Sequence, residues 1–397
     1  MFVMVITAAR GNRSPRGSRP EGPALCYAGI VSARSAPPRP GWAWRGGVPS
    51  AGGLAGPAAS GAARVVERAA GRGARPPSRA RDVVRIATRA SELALRQART
   101  VEHALAQRGA ATELVTFRTA GDKRLDEPLR TIGGKGLFTA ELERALAAGR
   151  VDCCVHSLKD LPTESPAGLA LGAVLEREDP RDVLVVHDAI PARSLADLPR
   201  SSRVGTSSLR RRAQLYAARP DLDVVELRGN VPTRLRKVDE GQVQAAVLAA
   251  AGLHRLDVRQ RIDAWLDPPG WLPAAGQGAI AVQVRAGDSR MRELLWPLHH
   301  APTAVATRAE RALLAALGGG CQVPVGALAT DAGGRLVLHA LVADVRGRQV
   351  VRGSCEVDSE RPELAAEWLA ADLRARGAEA ILAELRALDH VPTPQPE

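Results

Sequence analysis

The chain alternates between two kinds of apolar pattern, and the alternation starts at Val83. Short apolar runs bounded by polar residues read as strands: 84–87, 114–117, 152–155, 183–186, 203–205, 224–227 and 245–248. Between them, apolar residues recur at helical spacing. Ala94, Leu95, Ala98, Val101 and Leu105 share one face behind Ser91, a residue suited to cap the helix. A second helix is predicted from about Thr139 to Ala148. A third runs through Leu209, Arg212, Ala213 and Tyr216 behind Ser207 or Ser208, and a fourth lies near 233–239. Repeated strand–helix units predict an α/β fold with a mostly parallel sheet and helices on both faces. From about Ala301 the pattern changes. One helix reaches Leu317, strands 336–342 and 350–357 are separated by Gly-bearing turns, and helices 362–373 and 378–388 follow. This reads as a small α+β domain.

The strand-and-helix region repeats itself. Arg85-Ile86-Ala87-Thr88-Arg89-Ala90-Ser91 resembles Arg203-Val204-Gly205-Thr206-Ser207-Ser208-Leu209. Each is a strand running into a hydroxyl-rich turn and then a helix, and the amides and dipole of such a turn favour an anion. Ligands of open α/β sheets sit at these strand ends. Two facing lobes would therefore form a cleft for an acidic ligand. Arg89, Arg210, Arg211, Arg228, Arg234 and Arg255 all fall near strand ends or helix starts, and arginine pairs carboxylates bidentately. With 51 Arg in the chain, it is their joint placement, not any single one, that points to a polycarboxylate.

Charge changes this picture less than its total suggests. Net charge is +12 overall. Residues 1–82 hold 13 Arg and only three acids, Glu21, Glu67 and Asp82, which is +10 and leaves +2 for residues 83–397. The first 82 residues are rich in Gly, Pro, Ala and Ser without hydrophobic periodicity and read as a disordered, non-catalytic extension, either a transit peptide or translated upstream sequence. A nucleic-acid partner is therefore not expected. No apolar run approaches a membrane span, and five cysteines without a framework spacing argue for a reducing compartment. A cytoplasmic monomer without a membrane partner is the expectation.

Three segments carry candidate chemistry. Gly318-Gly319-Gly320-Cys321-Gln322-Val323-Pro324 presents a thiol on a bare loop behind a helix. By itself the loop is also compatible with a glycine cap and a buried cysteine. In Val155-His156-Ser157-Leu158-Lys159-Asp160-Leu161-Pro162, the proline ends the strand, leaving Lys159 and Asp160 at its mouth. A carboxylate there can act as a general acid or stabilise a cation. Gly133-Gly134-Lys135-Gly136-Leu137-Phe138 has no Ser or Thr after its lysine, so it is not a phosphate-binding P-loop, but it can form a flexible lid. Cys153 and Cys154 point to opposite faces of a strand, so no metal site is expected there.

Taken together, these stretches resemble the porphobilinogen deaminase (hydroxymethylbilane synthase) family. Its motifs match Arg85–Ala98, Gly133–Glu143, Val155–Thr163, Glu176–Asp182, Val204–Arg211, Leu227–Leu235, Ala249–Leu256, Leu272–Ala279 and Gly318–Gly326, in order. The resemblance implies two periplasmic-binding-protein-like lobes, 83–178 with about 278–298 and 179–277, plus a C-terminal α+β domain from 299. It implies a dipyrromethane cofactor joined through Cys321, porphobilinogen as substrate, and Asp160 as the catalytic group. It further implies that Lys159, Arg210, Arg211, Thr206, Ser207 and Ser208 bind the cofactor. Substrate contacts would fall to Arg89, Ser91, Arg228, Arg234, Arg255, Gln277, Lys135 and Phe138.

Overall fold

The computed structural model describes residues 83–119, 121, 138–319 and 323–389. Cys321 and Lys135 lie outside the described residues, as does the extension of residues 1–82. The first lobe contains β1 (Val83–Arg89), α1 (Glu92–Ala106), β2 (Ala111–Phe117), α2 (Ala140–Ala147), β3 (Cys153–Ser157) and β4 (Leu169–Val174). The second contains β5 (Asp182–Val186), β6 (Arg203–Gly205), α3 (Leu209–Ala218), β7 (Asp223–Val225), α4 (Val231–Asp239), β8 (Ala245–Ala249), α5 (Ala250–Arg255) and β9 (Ala264–Leu266). The chain then returns to the first lobe as β10 (Ile280–Arg285), followed by α6 (Ser289–Leu295).

The sheets run β2-β1-β3-β10-β4 and β7-β6-β8-β5-β9. In each, the first three strands in this order pair in parallel, while the last two pairings are antiparallel. The expectation of mostly parallel sheets is thereby corrected to mixed ones. The reason is the double crossing between lobes: β5 enters the second lobe, and β10 re-enters the first, against the direction of the neighbouring β8 and β3. Hydrophobic periodicity carries no information about such direction.

The two crossing segments lie side by side. Leu175 N donates to Ile280 O at 3.0 Å, and Glu178 N to Gly278 O at 3.2 Å. Gly278 adopts φ +89°, and a Cβ there would meet the Glu178 carbonyl oxygen at 2.2 Å, so only glycine lets the segments approach this closely.

The third domain packs α7 (Ala301–Ala316) against the antiparallel sheet β11 (Val325–Asp331), β12 (Leu336–Ala343) and β13 (Val350–Glu356), with α8 (Pro362–Leu373) and α9 (Glu379–Asp389) alongside. Ala309, Leu313, Leu338, Ala340, Leu369 and Leu373 form its core. Each lobe has separate apolar clusters on its sheet faces. Cys153 packs with Ile86 and Val101, whereas Cys154 packs with Ala87 and Leu142, and burial raises both thiol pKa values. Protonated, apolar-packed thiols are poor metal ligands and poor nucleophiles.

Candidate active site

Where the two lobes meet the crossing segments, Ser157, Lys159, Arg211, Arg234, Arg255 and Gln277 line one pocket. Lys159 belongs to a short 3-10 turn, Leu158–Asp160, that ends β3, and the leucine of that turn is fully buried. Leu158 thus anchors a turn whose next two residues are half-buried at the strand mouth. Arg211 belongs to the first turn of α3, whose cap is Ser208, with Ser208 Oγ accepting from Arg211 N at 3.4 Å. Arg234 lies on α4, capped by Asn230, and donates to Gly229 O at 2.8 Å. Arg255 ends α5 and donates to Gly278 O at 2.6 Å.

The pocket is strongly cationic. Burial pulls the Lys159 pKa down to about 8; Asp160 opposes the fall and Arg211 adds to it. Burial also lowers Arg234 to about 10, with Arg211 and Arg228 pushing the same way and Asp160 opposing. Like charges held together in a partly dry site are stabilised by an anion. Asp160 is the acid that opposes both shifts, so it stands near Lys159 and Arg234.

Beneath this group is a carboxylate that sequence reasoning did not single out. Asp182, the first residue of β5, is fully buried. It accepts from Arg210 at 2.7 Å, from Arg211 at 3.1 and 2.7 Å, from Trp271 Nε1 at 2.9 Å and from Gln277 Nε2 at 2.8 Å. Burial alone would raise its pKa, but Arg210 and Arg211 override that and hold it far below the ordinary carboxylate range. Its one signal in the sequence is an acid opening the apolar run Asp182-Val183-Leu184-Val185-Val186.

The remaining predicted residues are distributed as follows. Arg210 is buried, its guanidinium engaged by Asp182 and the Leu272 carbonyl rather than counted among the pocket walls. Gln277 receives Lys159 Nζ at 3.4 Å and donates to Asp182, joining the two. Thr206 is buried and accepts from Ser208 N at 3.2 Å, and Ser207 Oγ donates to Leu227 O at 2.8 Å. Ser91 caps α1, with its Oγ accepting from Ala94 N at 3.4 Å. Arg89 stands 4.4 Å over the Phe138 ring. Arg228 lies 3.9 Å from Glu226. Ser157 was also missed as a wall residue; it shares a 2.8 Å hydrogen bond with Gln97 across to α1.

Residues 84–293 match the family model "Porphobilinogen deaminase, dipyromethane cofactor binding domain", and residues 304–375 match "Porphobilinogen deaminase, C-terminal domain". The porphobilinogen deaminase of Moorella thermoacetica is 53% identical over 306 residues, covering 77% of this chain and 97% of that protein. The Syntrophotalea carbinolica porphobilinogen deaminase is 51% identical over 313 residues, covering 78% and 98%. The chain belongs to the porphobilinogen deaminase family. Among solved structures, the Bordetella pertussis BvgS periplasmic VFT2 domain aligns at 18% identity and TM-score 0.35, covering 54% of this chain and 85% of that one.

The family is that of hydroxymethylbilane synthase, a transferase of tetrapyrrole biosynthesis carrying a dipyrromethane cofactor. The donor set of the pocket fits such a group. Lys159, Arg211, Arg234 and Arg255 offer cationic N–H donors, which suit the several carboxylates of linked pyrroles. The third domain joins the site through a second buried acid. Glu310, on α7, pairs with Arg177 at 2.6 and 3.0 Å, and accepts from Gly276 N at 2.7 Å and Ala329 N at 2.9 Å. Arg177 also donates to Gln277 O at 2.8 Å. Helix α7, strand β11 and the Gly276–Gln277 turn are therefore held by one carboxylate, and α7 and β11 flank the segment that contains Cys321.

Proposed function

We propose that this protein joins four porphobilinogen molecules head to tail, with loss of ammonia, and releases hydroxymethylbilane by hydrolysis. The observation that carries the reading is a pocket with cations from both lobes, adjoining a carboxylate at the mouth of β3. Cys321 is read as the tether of dipyrromethane, which supplies the carbon nucleophile when bound.

The chain's own residues then bind, orient and stabilise. Arg211 and Lys159 pair with cofactor carboxylates and also reach those of the porphobilinogen being joined to it. Arg210 is assigned a part in this through its shared partner Asp182. The turn Thr206-Ser207-Ser208 offers hydroxyl and amide groups to the same carboxylates. Arg234 and Arg255, with Arg89, Arg228, Ser91 and Gln277, take the acetate and propionate of incoming porphobilinogen. Lys135 and Phe138 complete the substrate-binding set. Asp160 accepts from the pyrrole N–H of porphobilinogen. It also faces the positive charge that develops on the substrate's methylene carbon as ammonia leaves. The enzyme is taken to act as a cytoplasmic monomer with no nucleic-acid or membrane partner.

Intact mass tests the reading. The purified chain should carry an adduct of two pyrrole units that disappears in Cys321→Ser. Asp160→Ala should fold, by circular dichroism, yet consume porphobilinogen roughly 10²–10³-fold more slowly. An unmodified, folded chain from cells that make porphobilinogen would defeat the proposal, as would full turnover by Asp160→Ala.

A further inference from the structure

Asp182 sits at a place where the fold does not require an acid. In the second sheet Asp182 pairs with Ala249 across β5 and β8. The matching pairing of the first sheet, between β10 and β3, sets Ile280 opposite Ser157. An apolar residue fills the equivalent position there, so sheet formation alone does not account for a buried carboxylate. What distinguishes the second lobe is what the acid touches.

Oδ1 of Asp182 grips Arg211 side-on through Nε and one terminal nitrogen, while the other terminal nitrogen donates to Val247 O at 2.9 Å. Bonds on two sides fix the plane of the guanidinium. Three of its five N–H groups are used in these bonds, leaving two for a ligand in the pocket that Arg211 lines. Gln277 is oriented by the same oxygen. Its Nε2 donates to Asp182 Oδ1 and to Pro180 O, each at 2.8 Å, which uses both amide hydrogens. That leaves the amide oxygen as the end that meets Lys159 Nζ at 3.4 Å. One carboxylate therefore governs a cation from each lobe.

We infer that Asp182 is a positioning residue for the reaction: it aims Arg211 directly, and Lys159 through Gln277, at the carboxylates of the incoming acid. The inference rests on the porphobilinogen reading and adds a residue to it.

The test compares the full chain with Asp182→Asn and Asp182→Glu. The first keeps the shape and removes the charge; the second keeps the charge and lengthens the arm. Three quantities are measured: thermal midpoint without ligand, the rise in that midpoint conferred by porphobilinogen, and KM against kcat. Asp182→Asn should raise KM at least about tenfold, with kcat at saturation changing less than about threefold, and the ligand-induced rise should vanish. Asp182→Glu should retain most of the thermal midpoint yet still show a raised KM. If Asp182→Asn does not fold, Asp182→Glu decides. A lowered midpoint with unchanged KM in either folded variant would make Asp182 purely structural and overturn the inference. Absence of porphobilinogen turnover by the unmodified chain would instead overturn the functional reading, and this one with it.

Discussion

Superposing the strand registers of the two lobes pairs β3 with β8 and β10 with β5. In that frame His156 of the first lobe corresponds to Leu248 of the second, and Asp182 of the second corresponds to Ile280 of the first. Each lobe thus buries an ionisable group at a position where its twin is apolar, but His156 and Asp182 have opposite fates. Asp182 is kept charged by two arginines. His156 is kept neutral: burial pulls its pKa down to about 4, nearby Gln283 works against the fall, and Arg89 adds to it. The second lobe therefore offers arginines already braced against an internal anion. The first offers cations held differently: Arg89 stands over an aromatic ring, and Lys159, on a short turn, is linked to Asp182 through Gln277. One half of the cleft is fixed in charge and geometry, while the other responds to pH and to the chain around it.

The largest effect that sharpens this contrast is acid sensitivity. His156 titrates at about 4 in the fold and near 6.5 unfolded. Between those values the unfolded chain binds a proton that the folded chain refuses, so stability falls as pH drops from 6.5 towards 4. The loss is about 3 kcal/mol. Asp182 has a depressed pKa, so its contribution is present above about 4 and is lost only as pH falls further. Urea unfolding at pH 6.5 and at pH 4.5 should show a stability drop that His156→Leu, the residue used by the second lobe, largely removes. An equal drop in the variant would mean that the lobes do not differ in this way.

Much of this arrangement was legible in the sequence, and the parts that were not share a cause. Ser91 and Ser208 were readable as caps because capping depends on neighbours three residues away. The strand ends that bring Arg89, Lys159 and Arg211 to the cleft were readable from local apolar runs. Asp182 was not readable as a hub, since its partners Arg210, Trp271 and Gln277 lie 28, 89 and 95 residues away. Glu310 was hidden for the same reason: on α7 it occupies the apolar face, but its partner Arg177 is 133 residues distant. Local periodicity finds elements and their ends. It does not find buried ion pairs or strand direction, because both are settled by which distant segments meet.

A smaller effect separates the cations by lobe. Arg234 and Arg255 fall only to about 10, so the second lobe keeps its charge throughout the neutral range. Lys159, at about 8, does not. Its folded pKa lies below the free value, so raising the pH through 8 strips the ammonium while the arginines stay charged. Loss of one charge-assisted hydrogen bond is worth about 1.5 kcal/mol or more. KM for porphobilinogen should rise about tenfold between pH 7 and 9, with a bend near 8. Lys159→Arg should flatten that bend. A KM constant to pH 9 in the unmodified enzyme would remove Lys159 from the binding set and leave the second lobe as the principal source of charge.

The smallest expected effect probes the softer brace of the first lobe. Arg89 has its guanidinium carbon 4.4 Å from the Phe138 ring centroid, and that ring fills the space left by Gly121, where a Cβ would come within 2.2 Å of it. A cation–π contact at a partly exposed site is worth about 0.5–1 kcal/mol. Phe138→Leu should therefore raise KM only about two- to fivefold, and Phe138→Tyr should restore it, since the ring face is kept. Gly121→Ala should act in the same direction as Phe138→Leu by displacing the ring. The comparison turns on relative size. If removing the ring costs as much binding as removing the charge of Asp182, then Arg89 is braced as firmly as Arg211, and the two halves of the cleft are equivalent in practice despite their different buried groups.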